Sequence, residues 1–163
     1  MQQTHEEKRN NRLLKSGDLF FDDLIEGDYF VTDGIMVTES HVVGFAGLSG
    51  DRFSIHLDDV TAQQAGFPGR IAHGLLVLGL VDGLMMNSAV KPRIVAALGW
   101  DWSFKAPVLI NDRVHAEARF KPVRRTKRGD RGIVELVITV FKNQRDVVHS
   151  GVKTLMLECR SSG

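Results

Sequence analysis

The chain has neither the cysteine content of disulfide-linked proteins nor a large net charge of either sign. Its 163 residues include one cysteine, Cys159, which excludes an intramolecular disulfide framework and favours a reducing compartment. The formal net charge is only +1, too close to zero to indicate general attraction to nucleic acid or to membrane surfaces. We therefore expect neither of these as a partner.

Long apolar segments are missing as well. The best candidate is interrupted by Asp82, so no segment reaches the roughly 18 uncharged apolar residues of a membrane-spanning helix. Residues 1–12 are charged and amide-rich and contain no apolar core of the kind that secretory signals carry. These absences predict a cytoplasmic protein.

The remaining composition suits one globular domain. A length of 163 residues with 43% hydrophobic content is enough for a single core and leaves little room for a second. Residues 1–16 are predicted to form a polar N-terminal arm, disordered or loosely docked. Residues 17–163 are predicted to form the domain itself.

The front half of the domain is predicted to contain one strand and two short helices. Residues 29–37 have the composition of a strand, and Thr38 can then cap a helix that ends at Gly50. Asp58 is a suitable cap for a second short helix that runs through Ala65, with Gly66 ending it.

A long helix and a run of strands complete the predicted domain. The apolar segment His73–Ser88 predicts the helix, and Lys91-Pro92 would close it. The back half then supplies about four strands, among them residues 114–120, 133–141 and 147–157. With residues 29–37 this makes five strands, and hence an α+β domain whose antiparallel sheet curls around the helix.

Asp51 and His56 are the residues that point to chemistry. They lie five apart in a segment interrupted by Gly50, Arg52 and Ser54, so a loop can direct both side chains to one point. A carboxylate and an imidazole that share one water are the minimum needed to add water to a polarised double bond, or to remove it. An isolated pair of this kind would more often be solvated loop residues.

The start of the long helix offers a second chemical feature. The first backbone N–H groups of a helix have no partner within it, so those near Gly74 can hold a developing oxyanion. Gly74 has no side chain, which would let a ligand approach the backbone closely. Leu75 and Leu78, with Val81, offer apolar walls for an acyl chain, and His73 is expected to bond backbone near the helix start.

These segments resemble the signature of the MaoC-like dehydratases, or (R)-specific enoyl-CoA hydratases, of the hot-dog fold. That signature runs roughly S-G-D-x-N-P-x-H, then an acidic residue, A, G-F and I-A-H-G-[ML]-L. The matching residues are Ser49, Gly50, Asp51, His56, Asp58, Ala65, Gly66, Phe67, Ile71, Ala72, His73, Gly74 and Leu76. Phe53 and Ser54 depart from it, where the family often has Asn and Pro. Residues 98–108 resemble the family's first strand after the helix.

The resemblance implies a hot-dog fold, with a five-stranded antiparallel sheet wrapped around a long central helix. It also implies reversible hydration of trans-2-enoyl-CoA thioesters to (R)-3-hydroxyacyl-CoA. Asp51 and His56 would be catalytic, and the Gly74 backbone would contact the oxyanion. His73, Leu75 and Leu78 would join Gly74 in binding substrate, carried on coenzyme A or acyl carrier protein. No metal or redox cofactor is expected. The protein is expected to form a homodimer or an assembly of dimers.

Asp82 leaves the substrate open. A solvent-facing Asp82 is the simpler interpretation, but it could also meet a polar acyl group, as in a branched or dicarboxylic, mesaconyl-type enoyl-CoA.

Two other functions remain as alternatives. A hot-dog thioesterase usually carries its carboxylate on the central helix, where this chain has only Asp82. A non-catalytic subunit of a heteromeric dehydratase would have no need of Asp51 and His56.

Two further clusters have competing interpretations. The basic run 121–131 is most simply a solvated hairpin with Gly129-Asp130 at its turn, although its arginines could meet coenzyme A phosphates. Nucleic-acid binding ranks last because interleaved aromatics are missing. A zinc site is conceivable by residue type, but its spacing matches no standard pattern. Its candidate ligands are Asp51, His56, Asp58 and His73.

Overall fold

The structure, a computed structural model, describes residues 11–160 of the chain. The strands are β1 (Gly17–Leu19), β2 (Tyr29–Val31), β3 (Ile35–Met36), β4 (Val90–Pro92), β5 (Ile94–Phe104), β6 (Arg113–Arg125), β7 (Arg131–Lys142) and β8 (Asp146–Glu158). The helices are α1 (Glu39–Ser49), α2 (Ser54–Leu57), α3 (Asp59–Gln64) and α4 (Gly74–Asn87), with a 3-10 turn at Phe21–Asp23.

The main sheet is antiparallel and has the strand order β2-β6-β7-β8-β5, with β3 also paired to β6. Five strand positions were predicted and five are present, but the first is occupied by two short strands. The predicted strand 29–37 is interrupted at Asp33-Gly34, after Thr32 has bonded Ala116 through both its backbone N–H (2.9 Å) and its hydroxyl (3.0 Å). The hydroxyl takes the place of a ladder carbonyl, and the chain then leaves the sheet briefly.

The predicted long helix is the centre of the core. It runs from Gly74 to Asn87, with His73 and Ser88 as its flanking cap residues, one residue inside each predicted end. Val77, Val81 and Met85 are fully buried on it. The sheet covers this stripe with the inward positions of β6, whose buried residues alternate with partly exposed ones as predicted. The α+β architecture is therefore confirmed.

Three helices precede the central helix in the described chain, and the two that were predicted, α1 and α3, are capped as expected. The Thr38 hydroxyl accepts a hydrogen bond from a backbone N–H in the first turn of α1. One carboxylate oxygen of Asp58 accepts the N–H groups of Val60 (2.7 Å) and Thr61 (3.1 Å) at the start of α3. Gly66 follows α3 with a φ of 91°, a conformation that glycine adopts without strain.

Residues 11–16 of the predicted arm and Lys91-Pro92 pack differently from what the sequence predicts. Residues 1–10 of the predicted arm lie outside the described residues. The rest of the arm runs along β2, where the Leu14 N–H bonds the Tyr29 carbonyl at 2.8 Å. Arg12 pairs with the fully buried carboxylate of Asp28. Lys91-Pro92 does not simply end the helix but belongs to β4, which pairs in parallel with β1.

In the part of the chain from residue 11 to residue 160, no helix is long and apolar enough to cross a membrane.

Candidate active site

Asp51 is placed by the end of α1. Gly50 ends the helix in the left-handed region at a φ of 79°, which turns the chain sharply away from the helix axis. The Asp51 N–H then bonds the Ser49 hydroxyl at 3.1 Å, and one Asp51 carboxylate oxygen accepts the Phe53 N–H at 3.2 Å. The carboxylate is thus held by its own loop and is exposed on the described chain.

His56 lies on the single turn of α2 and is buried. Its Nδ1 is 2.8 Å from the carbonyl oxygen of Ile71. A carbonyl can only accept, so Nδ1 must carry the proton, and Nε2 of the neutral ring is left with a free lone pair. The structure therefore assigns His56 one tautomer, in which Nε2 can accept a hydrogen bond from a water molecule.

His73 supports this arrangement from the helix side. Its Nε2 lies 2.9 Å from the backbone carbonyl of Asp51, which ties the start of α4 to the loop that carries the carboxylate. The ring stacks on that of His56 with 3.8 Å between centroids and 29° between planes. Nδ1 of His73 is buried and has no hydrogen-bond partner among residues 11–160.

The structure brings three of the predicted residues to one point. A carboxylate oxygen of Asp51 and ring nitrogens of His56 and His73 lie within 4.8 Å of one another. The fourth candidate zinc ligand, Asp58, is separate, because its carboxylate caps α3. The arrangement thus combines a carboxylate with an imidazole of defined tautomer, which is what acid–base chemistry on a shared water requires.

The segment before α4 holds this geometry in place. The Ile71 N–H bonds the Ile55 carbonyl in α2 at 3.2 Å, and Ile71 also forms an isolated bridge to Leu109. The Ala72 N–H bonds the Val108 carbonyl at 2.7 Å. Backbone bonds therefore fix the carbonyl of Ile71, and through it the orientation of the His56 ring.

The start of α4 has free hydrogen-bond donors. Among residues 11–160 no acceptor is within bonding distance of the N–H groups of Gly74, Leu75 or Leu76, and the first bond of the helix is from Val77 to the His73 carbonyl. These N–H groups lie at the positive end of a 14-residue helix. Donors placed in this way can stabilise negative charge on an oxygen.

The predicted reason for a glycine at position 74 is incomplete. A Cβ on Gly74 would lie 2.5 Å from Cε1 of Phe104, so the ring of Phe104 occupies the space that a side chain would fill. Phe104, at the end of β5, was not identified from the sequence. Glycine is needed here because strand and helix approach each other closely, in addition to any need of a ligand.

The other predicted substrate-binding positions differ in exposure. Leu75 is exposed and Leu78 is half-buried, so both are available at the helix surface. Val81, expected as a third apolar wall, is fully buried in the core and faces the sheet. The accessible face of α4 is accordingly the one that carries Leu75 and Leu78.

Asp82 does not simply face solvent, so that interpretation was wrong. One of its carboxylate oxygens is 2.5 Å from Nζ of Lys153, a residue of β8 whose side chain is only 4% exposed. The Lys153 ammonium also lies 4.8 Å from the centroid of the Trp100 ring. A sequence signal was present, because Lys153 has the same strand parity as the core residues Leu155 and Leu157.

The basic run forms a hairpin as predicted. Residues 126–130 connect β6 to β7, and Gly129 has a φ of 79° in the turn. Several of its cations have acidic neighbours, since Lys121 pairs with Glu135 and Arg125 with Asp22.

The cluster of Asp51, His56 and His73 fits a metal ion poorly. Imidazole lone pairs lie in the ring plane, and the planes of the two stacked histidines are only 29° apart. Two such rings direct their lone pairs side by side and not toward one point, as tetrahedral zinc would need. Nδ1 of His56 is in addition engaged by the Ile71 carbonyl.

Comparison with known proteins identifies the family. A family model described as "MaoC like domain" matches residues 22–141. The 3-hydroxybutyryl-CoA dehydratase of Methylorubrum extorquens is 36% identical over 115 residues, 68% of this chain and 71% of that protein. The (R)-specific enoyl-CoA hydratase of Aeromonas caviae is 33% identical over 102 residues, 63% of this chain and 72% of that protein.

Protein MaoC of Klebsiella aerogenes is 31% identical over 103 residues, which are 63% of this chain but only 30% of that longer protein.

Solved structures agree in fold. The MaoC-like dehydratase of Rhodospirillum rubrum has a TM-score of 0.80 and 25% identity, covering 88% of this chain and 99% of that one. A Mycobacterium tuberculosis protein described as having a double hotdog fold has a TM-score of 0.76 and 20% identity, covering 90% of this chain and 46% of that one. The chain therefore has the hot-dog fold and belongs to the MaoC-like dehydratase family.

His149 gives the site region a pH-dependent stability. It lies on β8 beside Phe104, with 5.0 Å between ring centroids, and burial lowers its pKa from 6.5 to about 4. The unfolded chain binds this proton below about pH 6.5 while the folded chain resists it, so acid favours unfolding. The contribution is present above that pH and is lost as the pH falls toward 4.

We expect the free energy of unfolding to fall by about 1–3 kcal/mol from this residue between about pH 7 and about pH 4. Urea unfolding at both pH values would measure it. His149→Leu should reduce the pH dependence, whereas His115→Leu, a change in a partly exposed histidine, should not. If the free energy of unfolding of His149→Leu still fell between about pH 7 and about pH 4 as much as that of the wild type, His149 would not be the source of the pH dependence.

Proposed function

We propose that this chain catalyses reversible hydration of trans-2-enoyl-CoA thioesters to (R)-3-hydroxyacyl-CoA. The chain is a hydro-lyase of the MaoC-like family, and the proposal adds the substrate, the stereochemistry and the residues. The observation that carries it is the meeting of the Asp51 carboxylate with the His56 imidazole, next to N–H groups at the start of α4 that have no acceptor among residues 11–160. The names of the relatives in Methylorubrum extorquens and Aeromonas caviae support the thioester class.

In the proposed mechanism, a single water donates two hydrogen bonds, one to the Asp51 carboxylate and one to Nε2 of His56. Its oxygen attacks C3 of the enoyl thioester and forms the C3–O bond, while a water proton passes to the dyad. The double-bond electrons move toward the thioester carbonyl, whose oxygen becomes negative. A proton then moves from the dyad to C2, so that H and OH have added from the same side.

The growing charge on the thioester oxygen would be stabilised at the start of α4. Gly74 supplies an N–H with no acceptor among the described residues, and the helix dipole adds to it. Donors of this kind are typically worth 10²–10³-fold in turnover. The acyl chain would extend from there along the accessible face with Leu75 and Leu78.

Loss of either member of the dyad should stop turnover without unfolding the protein. We expect Asp51→Asn and His56→Ala each to lower the rate of enoyl-CoA hydration by about 10²–10⁴-fold, the range for a positioned acid or base. Loss of enoyl absorbance measures the rate, and circular dichroism checks the fold. Asp58→Asn is the matched control, because asparagine also caps a helix and Asp58 lies outside the cluster.

Near-normal hydration by a folded Asp51 or His56 variant would remove the dyad from the mechanism. Release of free thiol from saturated acyl-CoA, without loss of enoyl absorbance, would favour a thioesterase. Asp82 is poorly suited to that reaction, because its carboxylate is already paired with Lys153. A chain that binds enoyl-CoA but does neither would be a non-catalytic subunit.

We also propose that the reaction needs no metal or redox cofactor. The near-parallel histidine rings and the engaged Nδ1 of His56 support this. Enzyme treated with a strong chelator and then desalted is expected to keep full activity. Loss of activity on chelation, with recovery on adding a divalent ion, would revive the metal interpretation.

Assembly is proposed to be a homodimer formed through β5. This strand is at the edge of the main sheet and bonds only β8 among the described residues. It keeps apolar side chains exposed, namely Val95, Leu98, Trp100 and Phe104. Natural sheets usually pair, cover or charge such an edge. A second copy bound there across a two-fold axis would place residues of both subunits beside the accessible face of α4.

Light scattering at assay concentration should therefore give twice the 18.1 kDa mass of one chain. Leu98→Lys is expected to shift the mass toward the monomer and lower turnover, because it places a charge in the interface. Val123→Lys, on an exposed position of β6, should change neither. An active monomer would overturn both the dimer and the proposal that residues of both subunits line the substrate site. A cytoplasmic location is proposed on the basis of the single unpaired cysteine.

A further inference from the structure

Arg70 joins the segments that build the candidate active site. Its side chain is only 20% exposed, and its Nη1 donates to the Glu39 carboxylate at 2.8 Å. Its Nε lies 3.2 Å from one carboxylate oxygen of Asp59, an ion-pair contact that is not aligned as a hydrogen bond. The other oxygen of Asp59 accepts the backbone N–H of Arg70 at 3.0 Å. Arg70 is therefore held both at its backbone and at the end of its side chain.

The two acidic partners belong to helices that position the dyad. Glu39 is in the first turn of α1, and Asp51 follows the last residue of α1 by two positions. Asp59 is the first residue of α3, three positions after His56 in α2. The guanidinium of Arg70 therefore connects the helix that precedes Asp51 to the helix that follows His56.

These contacts reach the imidazole through one peptide. Ile71 follows Arg70, and its carbonyl oxygen is 2.8 Å from Nδ1 of His56. Its N–H bonds the Ile55 carbonyl at 3.2 Å. Helix α2 is a single turn of four residues, which is too short to be stable by itself. The position and the tautomer of the His56 ring therefore depend on where residues 70 and 71 are held.

The ion pairs of Arg70 would achieve little if they served stability alone. The side chains of Glu39 and Asp59 are 62% and 58% exposed, and exposed ion pairs contribute little because water and salt screen them. Catalytic geometry is more sensitive, since a displacement of about 1 Å can cost about 10²-fold in rate. Arginine suits a positioning role, because its rigid, planar group of N–H donors can bind two carboxylates in fixed directions.

Resting on the proposed function, we infer that Arg70 is a positioning residue for the dyad. With its two acidic partners it fixes the Ile71 carbonyl. That carbonyl keeps the proton of the neutral His56 ring on Nδ1 and leaves Nε2 as the acceptor for water. Arg70 acts through this carbonyl and not on the water or the substrate. Its loss should therefore lower the rate of the chemical step more than it weakens substrate binding or stability.

Arg70→Gln should lower kcat for hydration of crotonyl-CoA by about 10–10²-fold with KM little changed, because the imidazole is no longer held in place. The circular dichroism spectrum and the urea midpoint should stay close to those of wild type. Arg119→Gln is the matched control, since it breaks the 2.8 Å pair with Glu117 on β6 and should keep the wild-type kcat. A wild-type kcat in folded Arg70→Gln, or a raised KM with kcat unchanged, would overturn the inference.

The acidic partners give an independent result should Arg70→Gln fail to fold. Glu39→Gln and Asp59→Asn each remove one ion pair, and each should lower kcat by a smaller factor than Arg70→Gln. Neither should lower it further in the Arg70→Gln background, because the three residues act as one unit. A wild-type kcat in both single variants, or fully additive losses in the double variants, would contradict the positioning role.

Ring nitrogen-15 NMR tests the inference without reference to activity. At a pH where the ring is neutral, wild type should show His56 with a protonated Nδ1 and an unprotonated Nε2, and Arg70→Gln should show both tautomers. The spectrum of His56→Ala assigns the signals. An unchanged tautomer in Arg70→Gln would overturn the inference. If wild type hydrates no enoyl-CoA, the proposed function has failed, and this measurement still decides whether Arg70 holds the imidazole.

Discussion

Burial of α4 against the main sheet is the constraint on which the rest of the structure depends. A 14-residue helix of this composition has little stability in water by itself. Burial of Val77, Val81 and Met85 against the sheet stabilises it. Once this apolar stripe is covered, the position of the helix start is fixed. The loop before it must then meet Val108 on one side and α2 on the other. The cluster of Asp51, His56 and His73 follows from that junction.

Within the junction, one backbone carbonyl decides the chemistry of the imidazole. The Ile71 carbonyl holds Nδ1–H of His56, leaving Nε2 as an acceptor. The N–H groups of Gly74, Leu75 and Leu76, one turn further along the chain, have no acceptor in the described part of the chain. A hydrogen-bond acceptor and a set of hydrogen-bond donors are thereby held a short distance apart along the backbone. This polarity suits a reaction in which water loses a proton at one point while charge collects on an oxygen at another.

Much of this was predictable because it depends on local rules. Thr38, Asp58 and Gly50 act on neighbours a few residues away, and the alternation along β6 shows which side meets the core. Contacts between distant segments were not predictable. Asp82 meets Lys153 across 71 residues, and although strand parity places Lys153 on the core side of β8, nothing in the sequence places it beside Asp82. The break at Asp33-Gly34 depends on a tertiary bond between Thr32 and β6, and periodicity does not detect it.

The proposed mechanism depends on one water that is held between Asp51 and His56 and adds to one side of the double bond. Hydration of crotonyl-CoA in deuterium oxide, with chiral analysis of the product and location of the deuterium, tests that claim most directly. We expect (R)-3-hydroxybutyryl-CoA with deuterium at C2 on the face that received the hydroxyl. An (S) product, or deuterium on the opposite face, would contradict it.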